Sequence, residues 1–132
     1  MRLRYLIDTD WVIDYLNGQP GIVQRLTDLQ PEGLGLSVIT LAELFEGVLY
    51  SRDPEGSERG LRSFLRTVAV VPIDEQVCQV FGRERGRLRA AQALIGDFDL
   101  LIGATALRYG LVLLTNNRRH FEMIEGLQLI SQ

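Results

Sequence analysis

The sequence predicts an α/β domain: a parallel β-sheet flanked by helices on both faces, in a single unit spanning residues 1–132. Two observations carry this expectation. Short, continuously apolar runs of β type recur along the chain, and stretches with apolar residues at helical spacing separate them. Strands that are apolar throughout are buried on both faces, the condition of parallel strands joined by crossover helices. The size agrees. A chain of 132 residues, 46% apolar, can bury about two thirds of its unfolded surface in one core. No repeat, low-complexity tract or linker divides it.

Arg4 to Ile7 reads as the first strand, ending at Asp8, and Trp11, Val12 and Leu16 follow at helical spacing. Gly18 and Pro20 punctuate, then Ile22, Val23, Leu26 and Leu29 mark a second helix. Leu34 to Ile39 reads as the second strand, and from Thr40 the positions Leu41, Leu44, Phe45, Val48 and Leu49 form a helical stripe. Asp53-Pro54-Glu55-Gly56 reads as a turn, with Leu61, Phe64 and Leu65 marking the next helix. Val68 to Val71 is a buried-type strand stopped by Pro72, and a long helix follows Asp74. Ile95-Gly96 separates it from a helix of about Phe98 to Tyr109, closed by Gly110. Leu111 to Thr115 is the clearest strand; Leu127 to Ile130 forms a short last one.

Composition excludes several chemistries. Cys78 is the only cysteine and His120 the only histidine, so neither an internal disulfide nor a His/Cys zinc site can be built. All 14 basic residues are arginine, which removes every mechanism that needs a lysine. No apolar run approaches the roughly 18 residues of a membrane span. The start of the chain loses its apolar character at Asp8, unlike a secretory signal, and the expectation is a cytoplasmic protein. A net charge of −3 argues against a nucleic-acid binder, unless acidic residues hold cations; two divalent ions would turn it to +1.

In parallel sheets, ligands bind beyond the carboxyl ends of the strands, and the residues found there are acidic. Asp8 follows the first strand directly, so a functional reading and a loop reading stand side by side. Asp10 fits a cap for a helix beginning at Trp11. Glu43 follows the second strand, where Thr40-Leu41-Ala42-Glu43 also has the form of a capping box. Asp97 and Asp99 open the helix before Leu100; Asp97 fits the cap, leaving Asp99 in the first turn and free to face the sheet edge. Asn116 and Asn117 follow the best-defined strand, as turn residues or neutral oxygen ligands. Three carboxylates sharing one crevice would repel unless a cation sat among them, and an oxygen-only set suits Mg²⁺ or Mn²⁺.

Four strings, in order, carry a resemblance: Leu6 to Asp10, Thr40 to Gly47, Ile95 to Ala104 and Leu114 to Phe121. Together they resemble the PIN domain, most closely the VapC-type toxins of bacterial toxin–antitoxin pairs, over essentially the whole chain. The resemblance implies a Mg²⁺-dependent endoribonuclease (Mn²⁺ substituting) that hydrolyses RNA phosphodiester bonds, a transfer RNA among the candidate substrates. It implies Asp8, Glu43 and Asp99 as catalytic, metal-holding carboxylates, with Thr9, Thr115 and Asn117 around them. Asn117 stands where many PIN domains carry a fourth acid, which leaves a second metal site in doubt. Asp97 stays a cap.

Arg118 and Arg119 lie nearest the expected crevice and are the candidates for RNA contacts. Arg83, Arg85, Arg87 and Arg89 flank an apolar helical stripe and read as solvated arginines. Trp11 reads as core, and Tyr50 as a residue able to stack on a base. The resemblance further implies a cognate antitoxin and a homodimer. Apolar surface between Leu41–Leu49 and Leu61–Leu65 is the expected docking groove for an amphipathic partner segment. Two other functions are compatible with parts of the pattern. One is a non-catalytic PIN-like module that binds RNA or protein, to which Asn117 and the glycine at Gly103 are suited. The other is a haloacid-dehalogenase-type phosphatase opening on Asp8-Thr9-Asp10, which the absence of lysine disfavours.

Overall fold

The computed structural model describes residues 2–132. Five strands form one sheet in the order β3-β2-β1-β4-β5, every pair parallel: β1 (Tyr5–Ile7), β2 (Leu34–Ser37), β3 (Ala69–Val71), β4 (Val112–Leu114) and β5 (Leu129–Ile130). The expected layering holds. Successive residues of a strand face opposite sides. Tyr5 and Ile7 therefore join one core, with Trp11, Ile22, Leu36, Leu44 and Phe64, and Leu6 joins the other, with Leu88, Leu100, Ile102 and Phe121. The first core lies under α1 (Thr9–Leu16), α2 (Pro20–Leu29), α3 (Val38–Leu49) and α4 (Pro54–Leu65). The second lies under α5 (Glu75–Ala90), α6 (Asp97–Tyr109) and the short α7 (Arg118–Phe121). Trp11 is fully buried and belongs to the core, as its sequence context suggested.

The chain moves from β1 outward to β3, then returns to add β4 and β5 on the opposite side of β1. The switch point lies between β1 and β4, where the loops leave in opposite directions and open a crevice. Asp8 and Thr115 are the residues immediately past those two strands.

Local structure corrects five expectations. Asp8, not Asp10, caps α1, with its carboxylate accepting from Thr9 N (2.8 Å), so the helix begins two residues early. β2 stops at Ser37 and not at Ile39: Ser37 Oγ accepts from Thr40 N (3.0 Å), and the β-branched pair Val38-Ile39 forms the first turn of α3. That bond takes the Thr40 amide, so Thr40 and Glu43 form no capping box and Glu43 is released for other partners. Asp97 is already helical; Gly96 is the cap of α6, with no side-chain bond. Asp53 with Pro54 is the start of α4, not a free turn, Asp53 Oδ1 accepting from Gly56 N (3.1 Å). The helix α7 was not foreseen.

Two helices end on the same motif with different residues. After α6, Gly110 adopts φ 66° while Leu111 N bonds Ala106 O (2.9 Å) and Gly110 N bonds Leu107 O (3.2 Å). After α5, Gln92 occupies the equivalent place at φ 56°, with Ala93 N on Leu88 O (2.8 Å) and Gln92 N on Arg89 O (3.0 Å). Both are Schellman caps, whose left-handed residue is usually glycine. Gly103 packs against the side of Ile124, which a β-carbon would meet at 2.3 Å unless that side chain moved. Its smallness thus has a packing cause.

Candidate active site

At the crevice, five chain segments meet. Asp8 extends from β1 and is only 4% exposed. One of its oxygens accepts from the Thr9 amide and the other from the Thr115 hydroxyl (2.7 Å). Thr115 Oγ1 in turn accepts from Asn117 N (3.0 Å), so one hydroxyl links β1 to the loop after β4. Burial, followed by the charges of Asp10 and Asp99, outweighs these bonds and pushes the Asp8 carboxyl up to about 7. Asp10 is raised as well, again chiefly by burial, although the Asn116 and Trp11 amides donate to it (3.0 and 2.8 Å).

Glu43 enters from α3. With Ser37 capping that helix, Glu43 Oε1 takes the Thr9 hydroxyl proton (2.7 Å). Thr9 and Thr40 hydroxyls are 3.1 Å apart, and Ser37 Oγ lies 3.4 Å from Thr40 Oγ1. With one proton per hydroxyl, the order satisfying every oxygen runs from Ser37 to Thr40 to Thr9 to Glu43. Thr9 is thus the hinge between the Asp8 backbone and the Glu43 carboxylate. Asp99 comes from the first turn of α6. Its Oδ2 is 2.9 Å from His120 Nδ1 and 3.4 Å from Asn117 Nδ2.

The structure thus brings together Asp8, Thr9, Glu43, Asp99, Thr115 and Asn117. Arg118 stands beside them but is engaged elsewhere, by Glu122 (3.0 Å) and Ser131 Oγ (3.1 Å). Arg119 is exposed and has no ion-pair partner among the described residues. Arg85 and Arg87 are taken up in ion pairs with Asp97 (2.6 Å) and Glu84 (2.9 Å). His120 at Asp99 escaped the sequence reading, as did the Asn116 bracket: Asn116 Oδ1 accepts from Trp11 Nε1 (3.0 Å), and Asn116 N donates to Asp10. The signal available for His120 was its position three residues after Asn117, one turn into a helix too short to predict.

Among the described residues, no three carboxylate, imidazole or thiol groups enclose a point by themselves. The oxygen donors are arranged openly around Asp8. Nothing basic pairs with that buried carboxyl among the described residues; burial favours its protonated form, and a bound cation would favour the ionised one. A hard cation such as Mg²⁺ fits this set, because it is held by one or two carboxylates and keeps several waters for substrate oxygens to replace.

Beside the crevice, a groove of about 550 Å³ runs between α1, α3 and α4, lined by Ile13, Leu16, Leu44 and Val48 and reaching Glu43. Its α3 wall falls in the expected docking stretch, but its α4 wall is Gly56, Ser57 and Gly60 and not Leu61–Leu65, whose Leu61 and Phe64 are buried in the core, and α1 forms a third wall that was not foreseen.

A PIN-domain family model matches residues 5–126. The chain is 34% identical over 126 residues to ribonuclease VapC1 of Haemophilus influenzae (strain R2866), covering 94% of each protein. It is 30% identical over 127 residues to the tRNA(fMet)-specific endonuclease VapC of Salmonella typhimurium, covering 96% of each. A chain of the VapBC2 structure from Rickettsia felis, bound to a DNA fragment from their promoter, superposes with a TM-score of 0.93 at 28% identity; the match covers 98% of this chain and 99% of that one. The chain belongs to the PIN-domain family, in its VapC branch.

Proposed function

We propose that this protein is a divalent-metal-dependent endoribonuclease, the toxin of a toxin–antitoxin pair, with residues 1–132 as its single domain. The observation that carries the reading is the buried Asp8 at the sheet's switch point, linked through Thr9 to Glu43 and through Thr115 and Asn117 to Asp99, with no basic side chain paired to it among the described residues. Its named relatives are ribonucleases over almost their full length, which supports the activity. Mg²⁺, or Mn²⁺ in its place, would be held by Asp8, Glu43 and Asp99, and would there polarise the phosphodiester and activate water.

The chain's own residues hold that arrangement. Thr115 and the Thr9 amide fix both oxygens of Asp8, so its carboxylate cannot rotate away. Thr9 restrains Glu43 at a set distance. His120 and Asn117 anchor Asp99, and Asn117 adds an uncharged oxygen where a fourth acid would add charge. Arg119, exposed beside the site, supplies a contact for an RNA phosphate; Arg118 contributes only by releasing Glu122. A transfer RNA is the proposed substrate class, the one named for the Salmonella relative. The groove of α1, α3 and α4 is the proposed seat of the antitoxin, and a homodimer acting in the cytoplasm completes the reading.

The test is cleavage of a structured RNA mixture by protein freed of any partner, with Mg²⁺ or Mn²⁺ against EDTA. Cutting should require both the metal and Asp8, and Asp8→Asn should be inactive. Metal-independent cutting, or cutting retained in Asp8→Asn, would overturn the assignment.

A further inference from the structure

We propose that Arg85 is a positioning residue for Asp99, an inference resting on the metal-holding role given to Asp99 above. The first turn of α6 is poorly secured by its own sequence. Its cap is Gly96, without a side-chain bond, which leaves the favourable charge of Asp97 and Asp99 on the helix dipole as its local support. The preceding residues 91–96 form no regular element beyond the turn that ends α5, and Leu94 there is 88% exposed. A helix start of this kind, left to itself, frays.

Arg85 reaches it from the middle of α5. One guanidinium nitrogen donates to Ile95 O (2.9 Å) and the other to Asp97 Oδ1 (2.6 Å). These partners bracket Gly96, one before the cap and one after it. The side chain is 15% exposed and its guanidinium lies 5.5 Å from the Phe81 ring centre, so the fork is itself held still. The Asp97 carboxylate is 78% exposed, which makes the ion pair weak as a source of stability. What the fork fixes is direction. Each residue of a helix is turned by 100°, so holding Ile95 and Asp97 sets where Asp99 points. Lysine has three donors but on one nitrogen at the end of a flexible stem, so it cannot place two separate nitrogens on Ile95 O and Asp97 Oδ1 in one fixed geometry as the guanidinium does.

The experiment compares the wild type with Arg85→Ala, Arg85→Lys and Asp97→Asn by Mn²⁺ titration followed by electron paramagnetic resonance, and by amide hydrogen exchange in the metal-free proteins. Arg85→Ala should weaken Mn²⁺ binding by about 10-fold, the usual scale for losing a group that orients a ligand. It should speed exchange at Leu100, whose amide makes the first bond of α6 with Gly96 O (2.9 Å), with the rest of the chain unchanged. Arg85→Lys should fall between the two, and Asp97→Asn should stay near wild type because its amide oxygen can still accept from Arg85 while the bond to Ile95 O persists. Unaltered affinity and exchange in Arg85→Ala, or exchange faster throughout the chain, would overturn the proposal. A wild type that neither binds Mn²⁺ nor cuts RNA would overturn the metal reading instead, and exchange at Leu100 would then show whether the grip exists without that purpose.

Discussion

Asp8 is the residue on which the stability of the fold and the proposed metal site pull in opposite directions. Its folded pKa, about 7, lies above the ordinary 3.8, so between these values the folded protein holds a proton that the unfolded chain has released. The contribution of Asp8 to the stability of the metal-free protein is therefore fully present below about pH 4 and is lost as pH rises through 7. Asp8→Asn removes the ionisation but keeps an oxygen to accept from Thr115 or Thr9. The variant should be more stable than wild type by about 2 kcal/mol at pH 8 and about equal to it at pH 4. Urea unfolding in EDTA at the two pH values checks this; a pH-independent difference would mean that burial does not govern Asp8. Saturating Mg²⁺ should reverse the order at pH 8, because only the wild type gains from binding.

The residue scale is also where the sequence misled. Each of Asp8, Asp10, Thr40 and Glu43 can serve as a cap, and propensity alone ranks Asp10 and Thr40 well. The register decided otherwise. Ser37 pairs with Val71 as the last residue of β2, so the helix must turn directly after it and Ser37 becomes the cap. Glu43 was legible as a candidate, but its freedom from capping depends on where a strand ends, a long-range property. The hydroxyl chain through Thr9 and the approach of His120 to Asp99 were equally hidden, since their partners lie 21 to 34 residues away in the chain.

At the scale of elements, the strands and main helices were readable because their apolar periodicities are strong; the boundaries moved by a few residues wherever a cap was contested. Two element ends give direct tests. Gln92→Gly should stabilise the protein by about 1 kcal/mol, since a left-handed cap costs a side chain that glycine does not have. Gly110→Ala, in the matching cap of α6, should cost about as much. Thermal melts of both variants decide it, and an unchanged Gln92→Gly would mean that the loop relaxes out of the cap. Ser37→Ala should cost about 1 kcal/mol. It should also reduce RNA cleavage, because the hydroxyl chain to Glu43 begins there; cleavage unchanged at equal loss of stability would dissociate the chain from the site.

Over the whole molecule, the acidic balance of −3 sets how RNA can be approached. Metal-free, the crevice repels a polyanion. Ca²⁺, an oxygen-seeking cation, should tighten RNA binding relative to EDTA at constant ionic strength. Arg119→Ala should weaken binding in both conditions and lower the slope of log affinity against log salt by about 0.7 to 0.9. Filter binding across a salt series measures both effects. Equal affinity in Ca²⁺ and EDTA would mean that the carboxylates do not bridge to RNA. The fold class was fully legible at this scale, since continuous apolar strands alternating with helices leave few topologies; strand order, and hence which loops meet, was not.

That strand order also shapes the life of the chain as it is made. The crevice lies between the first strand and the fourth, and β4 is locked by bonds from Leu113 N and Thr115 N to Gln128 O and Ile130 O in and beside β5. Asp8 and Glu43 can be linked through Thr9 once α3 is made, but Thr115 and Asn117, which join Asp8 to Asp99, follow β4. The proposed centre therefore cannot be complete until β4 has been made and set beside β1. A harmful enzyme built in this way is silent for nearly all of its translation, and a partner synthesised alongside it has that interval in which to be ready.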